Sequence, residues 1–197
     1  MAAEPRGFDK LENVDIAHTR EEFRCWLEDN HVSERECWLK LKRGRPTEDA
    51  FAYLDAVEEA LCFGWIDGHL KSFEGCGALQ RFTPRSRGSS WSELNKERVR
   101  RLERLGKMTD AGRACLPAMG PRSFRIYEGI ERELKKARLW TRFKSFPPLY
   151  QRVRADNIQR VRSWPDEYRK RLDRLIEATR QGKLYGEWDD FGRLSMQ

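Results

Sequence analysis

The sequence predicts an α+β fold, in which helices pack against a small antiparallel sheet of about three strands with a hairpin, and a helical tail follows. Three observations support this prediction. Helix caps precede stretches with helical spacing of apolar residues, one stretch alternates with a period of two, and a glycine-containing turn joins two extended segments. Seven Trp and ten Phe are spread along the 197 residues, which indicates a folded chain.

Two helices are predicted in the first third of the chain. A capping box over 19–22, Thr-Arg-Glu-Glu, predicts a helix over 20–30, because its threonine and glutamate satisfy each other's free backbone N–H groups. Helical spacing returns at about Tyr53 with apolar residues on one face. Glu58 and Glu59 lie on the other face, which we expect to be exposed to solvent.

The sheet is predicted from three extended segments. Over 37–42, Cys37, Leu39 and Leu41 alternate with Trp38 and two lysines, the pattern of a half-buried strand with Trp38 on its polar face. The segments 65–73 and 79–85 are joined by Glu-Gly-Cys-Gly-Ala at 74–78, which predicts a hairpin.

The rest of the chain is predicted to be mainly helical. A second capping box at Ser90–Glu93 predicts a helix that ends near Leu105, and Thr109 caps a short helix through Ala114. Amphipathic helices are predicted over 128–140, 147–162 and 165–181. The predicted organisation is a core domain over 1–115, a linker over 116–129 and a helical extension over 130–197 that packs on the core.

Charge and cysteine content restrict the class of protein. Lys and Arg number 39 against 32 acidic residues, so the surface attracts anions, although a spread-out excess that only maintains solubility is an equal alternative. The five cysteines are widely spaced without a C-x-x-C pair, which indicates reduced thiols and no zinc site, and Cys25, Cys37 and Cys62 are expected to be small core residues. Residues 1–13 contain no apolar run of the kind that a secretory signal needs, and we predict a cytoplasmic protein.

A candidate site lies on the predicted hairpin. Strand alternation puts Trp65, Asp67, His69 and Lys71 on one face and gathers Arg81, Thr83 and Arg85. With the turn centred near Cys76, the antiparallel register sets Asp67 opposite Arg85 and Lys71 opposite Arg81. The other face, with Ile66, Leu70 and Phe82, is expected to supply the core.

The helix that follows the hairpin is expected to complete this site. Its first-turn N–H groups after Ser90 would add to the field of Arg81, Arg85 and Arg87 and hold a phosphate or carboxylate. Trp91 and Asn95 share one stripe of this helix, and the Asn95 amide bonds either backbone or a ligand. The alternative is structural, with an Asp67–Arg85 ion pair and a simple helix cap.

Other functions remain open on the sequence alone. An enzyme would use Asp67 or His69 as general acid or base, but we find no metal-ligand spacing, phosphate loop or nucleophile motif and expect no cofactor. A nucleic-acid protein would use the basic tail, in which Trp164 and Tyr168 lie among Arg152, Arg154, Arg160, Arg162, Arg169, Lys170, Arg171 and Arg174. A protein partner would bind an apolar patch around Trp140, Trp164 or Trp188.

Several runs of residues resemble a known family. They are 55–68 (Asp-Ala-Val-Glu-Glu-Ala-Leu-Cys-Phe-Gly-Trp-Ile-Asp-Gly), 80–85 (Gln-Arg-Phe-Thr-Pro-Arg), Trp91-Ser92, Asn95 and 106–109 (Gly-Lys-Met-Thr). Over about residues 52–112 they are similar to the YdeI/OmpD-associated family, also labelled bacteriocin-protection proteins, and the segment 143–150 is similar to its second block.

The resemblance implies a stress-related role and a shared cleft, without implying a reaction. The family's labels refer to an outer-membrane porin and to defence against antimicrobial peptides. Our leading hypothesis is a cation-lined cleft that binds an anionic small molecule or peptide. The ligand-binding residues that the resemblance implies are Trp65, Asp67, Arg81, Arg85, Trp91 and Asn95.

Overall fold

The computed structural model describes residues 11–86 and 88–195. Over these residues it contains eight α-helices and one antiparallel sheet of three strands, which confirms the predicted α+β class. None of the helices in these ranges combines the length and apolar character needed to cross a membrane.

The chain divides into two compact units. Within residues 11–86 and 88–195, the first unit comprises the chain up to Ser89 together with Val99–Pro117, and the second comprises Ser90–Arg98 together with the chain from Ala118 onward. The sequence analysis assigned residues 90–98 to the core domain, whereas the structure groups them with the second unit. These residues bond within the second unit, as described below.

The first unit contains the whole sheet. Its elements are α1 (Arg20–Asn30), β1 (Cys37–Leu39), α2 (Tyr53–Cys62), β2 (Trp65–Phe73), β3 (Gly77–Pro84), the second half of α3 (Glu93–Arg104) and α4 (Asp110–Ala114). Thr19 caps α1 by accepting the Glu22 N–H at 3.1 Å, and Thr109 caps α4 in the same way. Both caps lie where the sequence predicts them.

The strand order is β1-β3-β2, so β3 is central. On β1, Trp38 pairs with Arg81 of β3. The free side of β1 is partly covered, because the Trp38 N–H donates to Asn13 O at 2.9 Å and the Asp15 N–H donates to Trp38 O at 2.7 Å.

One face of the sheet builds the main core with α1 and α2. Phe82 is fully buried, and its ring centroid lies 5.5 Å from that of Phe23 on α1. The opposite face carries a smaller buried cluster of Trp38, Phe73 and Leu79. Aromatic residues therefore stabilise both faces of this short sheet.

Helix α4 lies close against the end of α2. The Thr109 hydroxyl donates to the Cys62 carbonyl at 2.6 Å. A Cβ atom added to Gly112 would lie 2.2 Å from the same carbonyl oxygen. Only glycine fits at this distance, which gives residues 106–112 a packing role.

A buried ion network replaces the solvent-exposed face predicted for α2. Glu58 and Glu59 are 0% and 1% exposed. Arg20 bonds both carboxylates, at 3.0 and 2.6 Å, and Arg24 and Arg101 add bonds of 2.8 and 2.7 Å. The prediction of exposed glutamates was wrong because three arginines distant in sequence enclose them.

The second unit is helical. It contains the first half of α3 and, after a 3-10 turn at Pro121–Ser123, α5 (Glu128–Lys136), α6 (Trp140–Lys144), α7 (Pro148–Gln159) and α8 (Pro165–Gln181). Helix α5 ends earlier than predicted, because Arg138 adopts a φ of 59° and the chain turns into α6. The core consists of Ile130, Leu134, Phe143, Tyr150, Ala155, Ile158, Leu172 and Leu175.

Candidate functional site

The hairpin turn is tighter than the sequence predicts. Phe73 pairs with Gly77, so the turn contains only residues 74–76, and Gly77 has a φ of 80° that favours glycine. As a result Lys71 pairs with Leu79 and not with Arg81.

A β-bulge shifts the register further. It lies between Asp67 and Leu70, and beyond it Asp67 pairs with Phe82 and not with Arg85. A bulge adds an unpaired residue to one strand, and simple alternation cannot predict it. The predicted Asp67–Arg85 pair, whether as a binding surface or as an ion pair, was therefore wrong.

Asp67 and Arg81 lie on opposite faces of the sheet. Paired residues share a face and successive residues alternate, so Asp67 lies on the face of Phe82 while Arg81 lies on the face of Trp38. Leu70, predicted to lie in the core, is 53% exposed. The predicted common face of Asp67 and the arginines does not form.

Asp67 belongs instead to a polar cluster at the edge of the core. The Tyr53 hydroxyl donates to its Oδ2 at 2.5 Å. The Arg43 guanidinium carbon lies 3.9 Å from the Tyr53 ring centroid, and Arg43 donates to Gln80. Gln80 in turn donates to Gly68 O at 2.9 Å, so the cluster fastens the bulge to β3.

Trp65 and Arg85 also have structural contacts. Trp65 is 1% exposed, and its indole N–H donates to the His31 carbonyl at 3.1 Å. The Arg85 N–H donates to Gly64 O at 2.9 Å, and its Nη1 donates to the Ser89 hydroxyl at 3.3 Å. Arg87 lies outside the described residues.

The start of α3 already has a carboxylate partner. The helix begins at Glu93, with Ser92 and not Ser90 accepting the Asn95 N–H, at 3.1 Å. The Glu93 N–H donates to the Asp156 carboxylate at 3.0 Å. Asp156 therefore occupies the position that the sequence analysis assigned to a ligand anion.

Trp91 and Asn95 lie in the second unit and are half-buried. The Asn95 side-chain oxygen accepts from Arg98 Nη1 at 2.7 Å, and Arg98 forms two bonds to Asp190 at 2.7 and 2.8 Å. Asn95 thus positions a buried ion pair, and its amide oxygen bonds a side chain, which is neither the backbone nor the ligand that the sequence analysis considered.

A pocket of about 370 Å³ lies on the outer face of the sheet, the face that carries Trp38 and Arg81. Leu70, whose partner Gln80 lies on the opposite face, contributes to it from the edge strand β2. It combines apolar and cationic side chains. Its lining residues are Leu11, Glu36, Trp38, His69, Leu70, Lys71 and Arg81. Of the six predicted site residues, Arg81 lines this pocket, and so does His69, the residue weighed as a general base.

The pocket holds its arginine in place. The Arg81 Nε donates to the Glu36 carboxylate at 2.8 Å, and Nη2 bonds the same oxygen. The Lys71 ammonium lies 4.9 Å from the Phe73 ring centroid. With Glu36 bound to Arg81, Lys71 supplies the net positive charge at the pocket rim.

The tail arginines bind mostly within their own unit. Ion pairs at 2.6–2.8 Å join Arg152 to Glu97, Arg169 to Asp173 and Arg171 to Glu167. The guanidinium carbons of Arg154 and Arg174 lie 5.1 and 4.6 Å from the Tyr185 ring centroid. These contacts neutralise or engage much of the basic stretch that the sequence analysis proposed as a nucleic-acid-binding surface.

Within the part of the chain that the structure describes, no group of three His, Cys, Asp or Glu side chains is placed to hold a metal ion. The five cysteines are free, and Cys25, predicted to be a core residue, is exposed. Burial, with the nearby Glu59 charge, raises the pKa of Cys62 to about 12. Burial likewise raises the pKa of Cys37.

Fold and pocket together define a small α+β domain, whose three-stranded sheet carries the core on one face and a mixed pocket on the other. A family model described as a domain of unknown function (DUF8412) matches residues 16–115. This range is just over half of the 197 residues, and the chain belongs to this family. No curated protein and no solved structure matches the chain.

Sequence reasoning missed most of the pocket. It placed Trp38 on the polar face of a strand and Leu70 in the core. The available signal was Trp38 itself. A large aromatic residue at a strand position where polar residues are expected indicates that this face also carries a buried cluster. Glu36 carries no comparable signal, because its role depends on pairing with a residue 45 positions away.

Proposed function

We propose that the outer-face pocket binds an amphipathic anion, a small molecule or peptide end with an apolar body beside a carboxylate. One observation carries the proposal: Trp38 and Leu70 share a pocket of about 370 Å³ with Lys71 and Arg81. The volume is within the range of small-ligand sites.

The apolar part of the ligand is inferred from Leu70. This side chain is 53% exposed on the edge strand β2, and it lines the same pocket as the buried Trp38. Covering a leucine removes apolar surface from water, at about 25 cal/mol per Å². A ligand with an apolar body would gain this free energy, whereas a fully polar anion would not.

The anionic part is inferred from the two cations. Arg81 is preoriented by Glu36, so binding does not have to order its side chain. Lys71 adds a second charge on the same face of the sheet. A carboxylate between them would form charge-assisted hydrogen bonds.

The same geometry favours binding over catalysis by the sequence candidates. His69 lines the pocket, but Asp67 lies on the other face and bonds Tyr53. The two residues therefore do not form an acid–base pair. Within this pocket, the enzyme alternative would depend on His69.

The resemblance to the YdeI/OmpD-associated family is kept as part of the proposal, together with its stress-related role. It rests on the runs of residues quoted above, of which 55–68 and 106–109 are in contact through the Thr109–Cys62 hydrogen bond. A cytoplasmic location is also proposed, because free thiols are usual in a reducing compartment.

Matched probes test the binding proposal. We expect 3-phenylpropionate to shift the Trp38 indole N–H signal in NMR titrations, with an affinity about tenfold above that of its uncharged amide. The corresponding amine, which carries a positive charge, should bind least. Equal shifts from all three probes would show that the pocket does not select anions.

Variants locate the site. Lys71→Ala should weaken 3-phenylpropionate severalfold, while Lys40→Ala, an exposed lysine outside the pocket lining, serves as the control. Lys71 is preferred to Arg81 for this test because removing Arg81 leaves the Glu36 carboxylate without its ion-pair partner. A Lys71→Ala protein that binds the probe as tightly as the parent would overturn the proposal.

A further inference from the structure

A second pocket, of about 550 Å³, lies within the helical unit. It is formed where the end of α7 approaches the residues before α3. Hydroxyl groups and guanidinium groups dominate its polar lining. The lining residues are Ser90, Asp156, Gln159, Arg160, Arg162 and Ser163.

Its two arginines differ from their neighbours in the tail. Arg160 Nη2 donates to the Ser90 hydroxyl at 2.9 Å, and the Arg162 guanidinium carbon lies 5.5 Å from the Tyr127 ring centroid. Throughout residues 11–86 and 88–195, no carboxylate oxygen lies within 4.0 Å of either guanidinium, whereas Arg169 pairs with Asp173. Two arginines without a close ion-pair partner among the described residues therefore line one pocket.

The acidic lining residue offsets part of this charge, because Asp156 interacts electrostatically with Arg160. Asp156 is 8% exposed and accepts the Glu93 N–H at 3.0 Å. The Gln159 amide is similarly engaged, accepting from the Tyr127 N–H and donating to the Arg125 carbonyl. The groups left for a ligand are mainly the two guanidiniums and the hydroxyls of Ser90 and Ser163.

This geometry points to a binding site for the terminal phosphate of a small phosphate monoester. Planar guanidiniums match phosphate oxygens in pairs, and serine hydroxyls can donate to the remaining oxygen. A single phosphate is favoured over a nucleic-acid backbone, because the arginines that would extend a track, such as Arg152 and Arg171, are bound to carboxylates.

The site is tested with sn-glycerol 3-phosphate, a probe that lacks an apolar body. Isothermal titration of the full chain should detect binding that weakens at least tenfold in Arg162→Gln, since that guanidinium is exposed and its loss leaves no buried charge. Arg169→Gln, another exposed tail arginine, is the matched control and should bind as the parent does. Asp156→Asn should bind severalfold tighter, because a negative charge leaves the pocket wall.

Crossed variants keep this site separate from the outer-face pocket. Lys71→Ala should not change glycerol phosphate binding, and Arg162→Gln should not change 3-phenylpropionate binding. Absence of binding to the parent, or equal affinity in Arg162→Gln, would overturn the inference. A single-stranded oligonucleotide that binds more tightly, with a steep salt dependence and a loss in Arg169→Gln, would overturn it in favour of a nucleic-acid surface.

Discussion

Gly112→Ala tests the close packing of α4 on α2. An added Cβ would lie 2.2 Å from the Cys62 carbonyl oxygen, 2.7 Å from the carbonyl carbon and 2.9 Å from the Met108 Cε. Carbon and oxygen normally approach to about 3.3 Å, so the helices must separate locally by about 1 Å. The first obstacle is backbone, which a change of rotamer cannot remove.

The expected cost follows from two opposing terms. Overpacking of this kind costs about 3 kcal/mol. Replacing glycine by alanine inside a helix returns about 1 kcal/mol. The net loss of about 2 kcal/mol in the free energy of unfolding corresponds to a fall of about 6 °C in Tm for a chain of this length.

Urea unfolding followed by circular dichroism measures this loss directly. Gly120→Ala is the control, since its Cβ meets nothing within 4 Å and its φ is −69°. The control should stay within about 0.5 kcal/mol of the parent. A Gly112→Ala protein as stable as the control would refute the packing of residues 106–112 described above.

Three further predictions concern hydrogen bonding, pH and thiol reactivity. Tyr53→Phe should lower the free energy of unfolding in urea by about 2 kcal/mol by removing the bond to the Asp67 carboxylate, without changing 3-phenylpropionate affinity; lost affinity would place that carboxylate in the site after all. Burial raises the pKa of Asp156 above 3.8, so its ionisation destabilises the fold as pH rises through the folded pKa; the stability advantage of Asp156→Asn should grow from about pH 4 to about pH 7, and a constant difference would contradict this. Ellman's reagent at about pH 8 should label the exposed Cys25 in the native protein and Cys62 only in denaturant, and rapid native labelling of Cys62 would disprove its burial.

Local signals in the sequence predicted the helices well. The bounds of α1, α4 and α8 agree with the predictions, because each depends on a cap a few residues away. Thr19 and Thr109 accept N–H groups of their own helices, and Gly182 ends α8 with a φ of 69°. Such bonds join residues a few positions apart, so the residue types at those positions predict the ends of the helix.

Features set by distant residues were not predictable from these signals. The bulge after Asp67 is held by Gln80 from the neighbouring strand, and it changes which face each side chain occupies. A register error of a few positions was enough to separate Asp67 from Arg81. Likewise the burial of Glu58 depends on Arg101, 43 positions away.

The candidate site was predicted only in part for the same reason. Sequence reasoning identified Arg81 and the proximity of His69 and Lys71, because these residues lie on one hairpin. It missed Trp38 on β1, which joins the sheet on the other side of β3, and Glu36 directly before this strand. The sequence pattern and the pocket lining both lead to an anionic ligand, which stays a prediction.

A crystal structure with 3-(4-bromophenyl)propionate tests the proposed ligand pocket most directly, since the bromine atom is located by anomalous scattering. We predict a bromine peak beside Trp38 and Leu70, with the carboxylate between Lys71 and Arg81. A bromine peak elsewhere on the chain, with the outer face of the sheet empty, would contradict the proposed function.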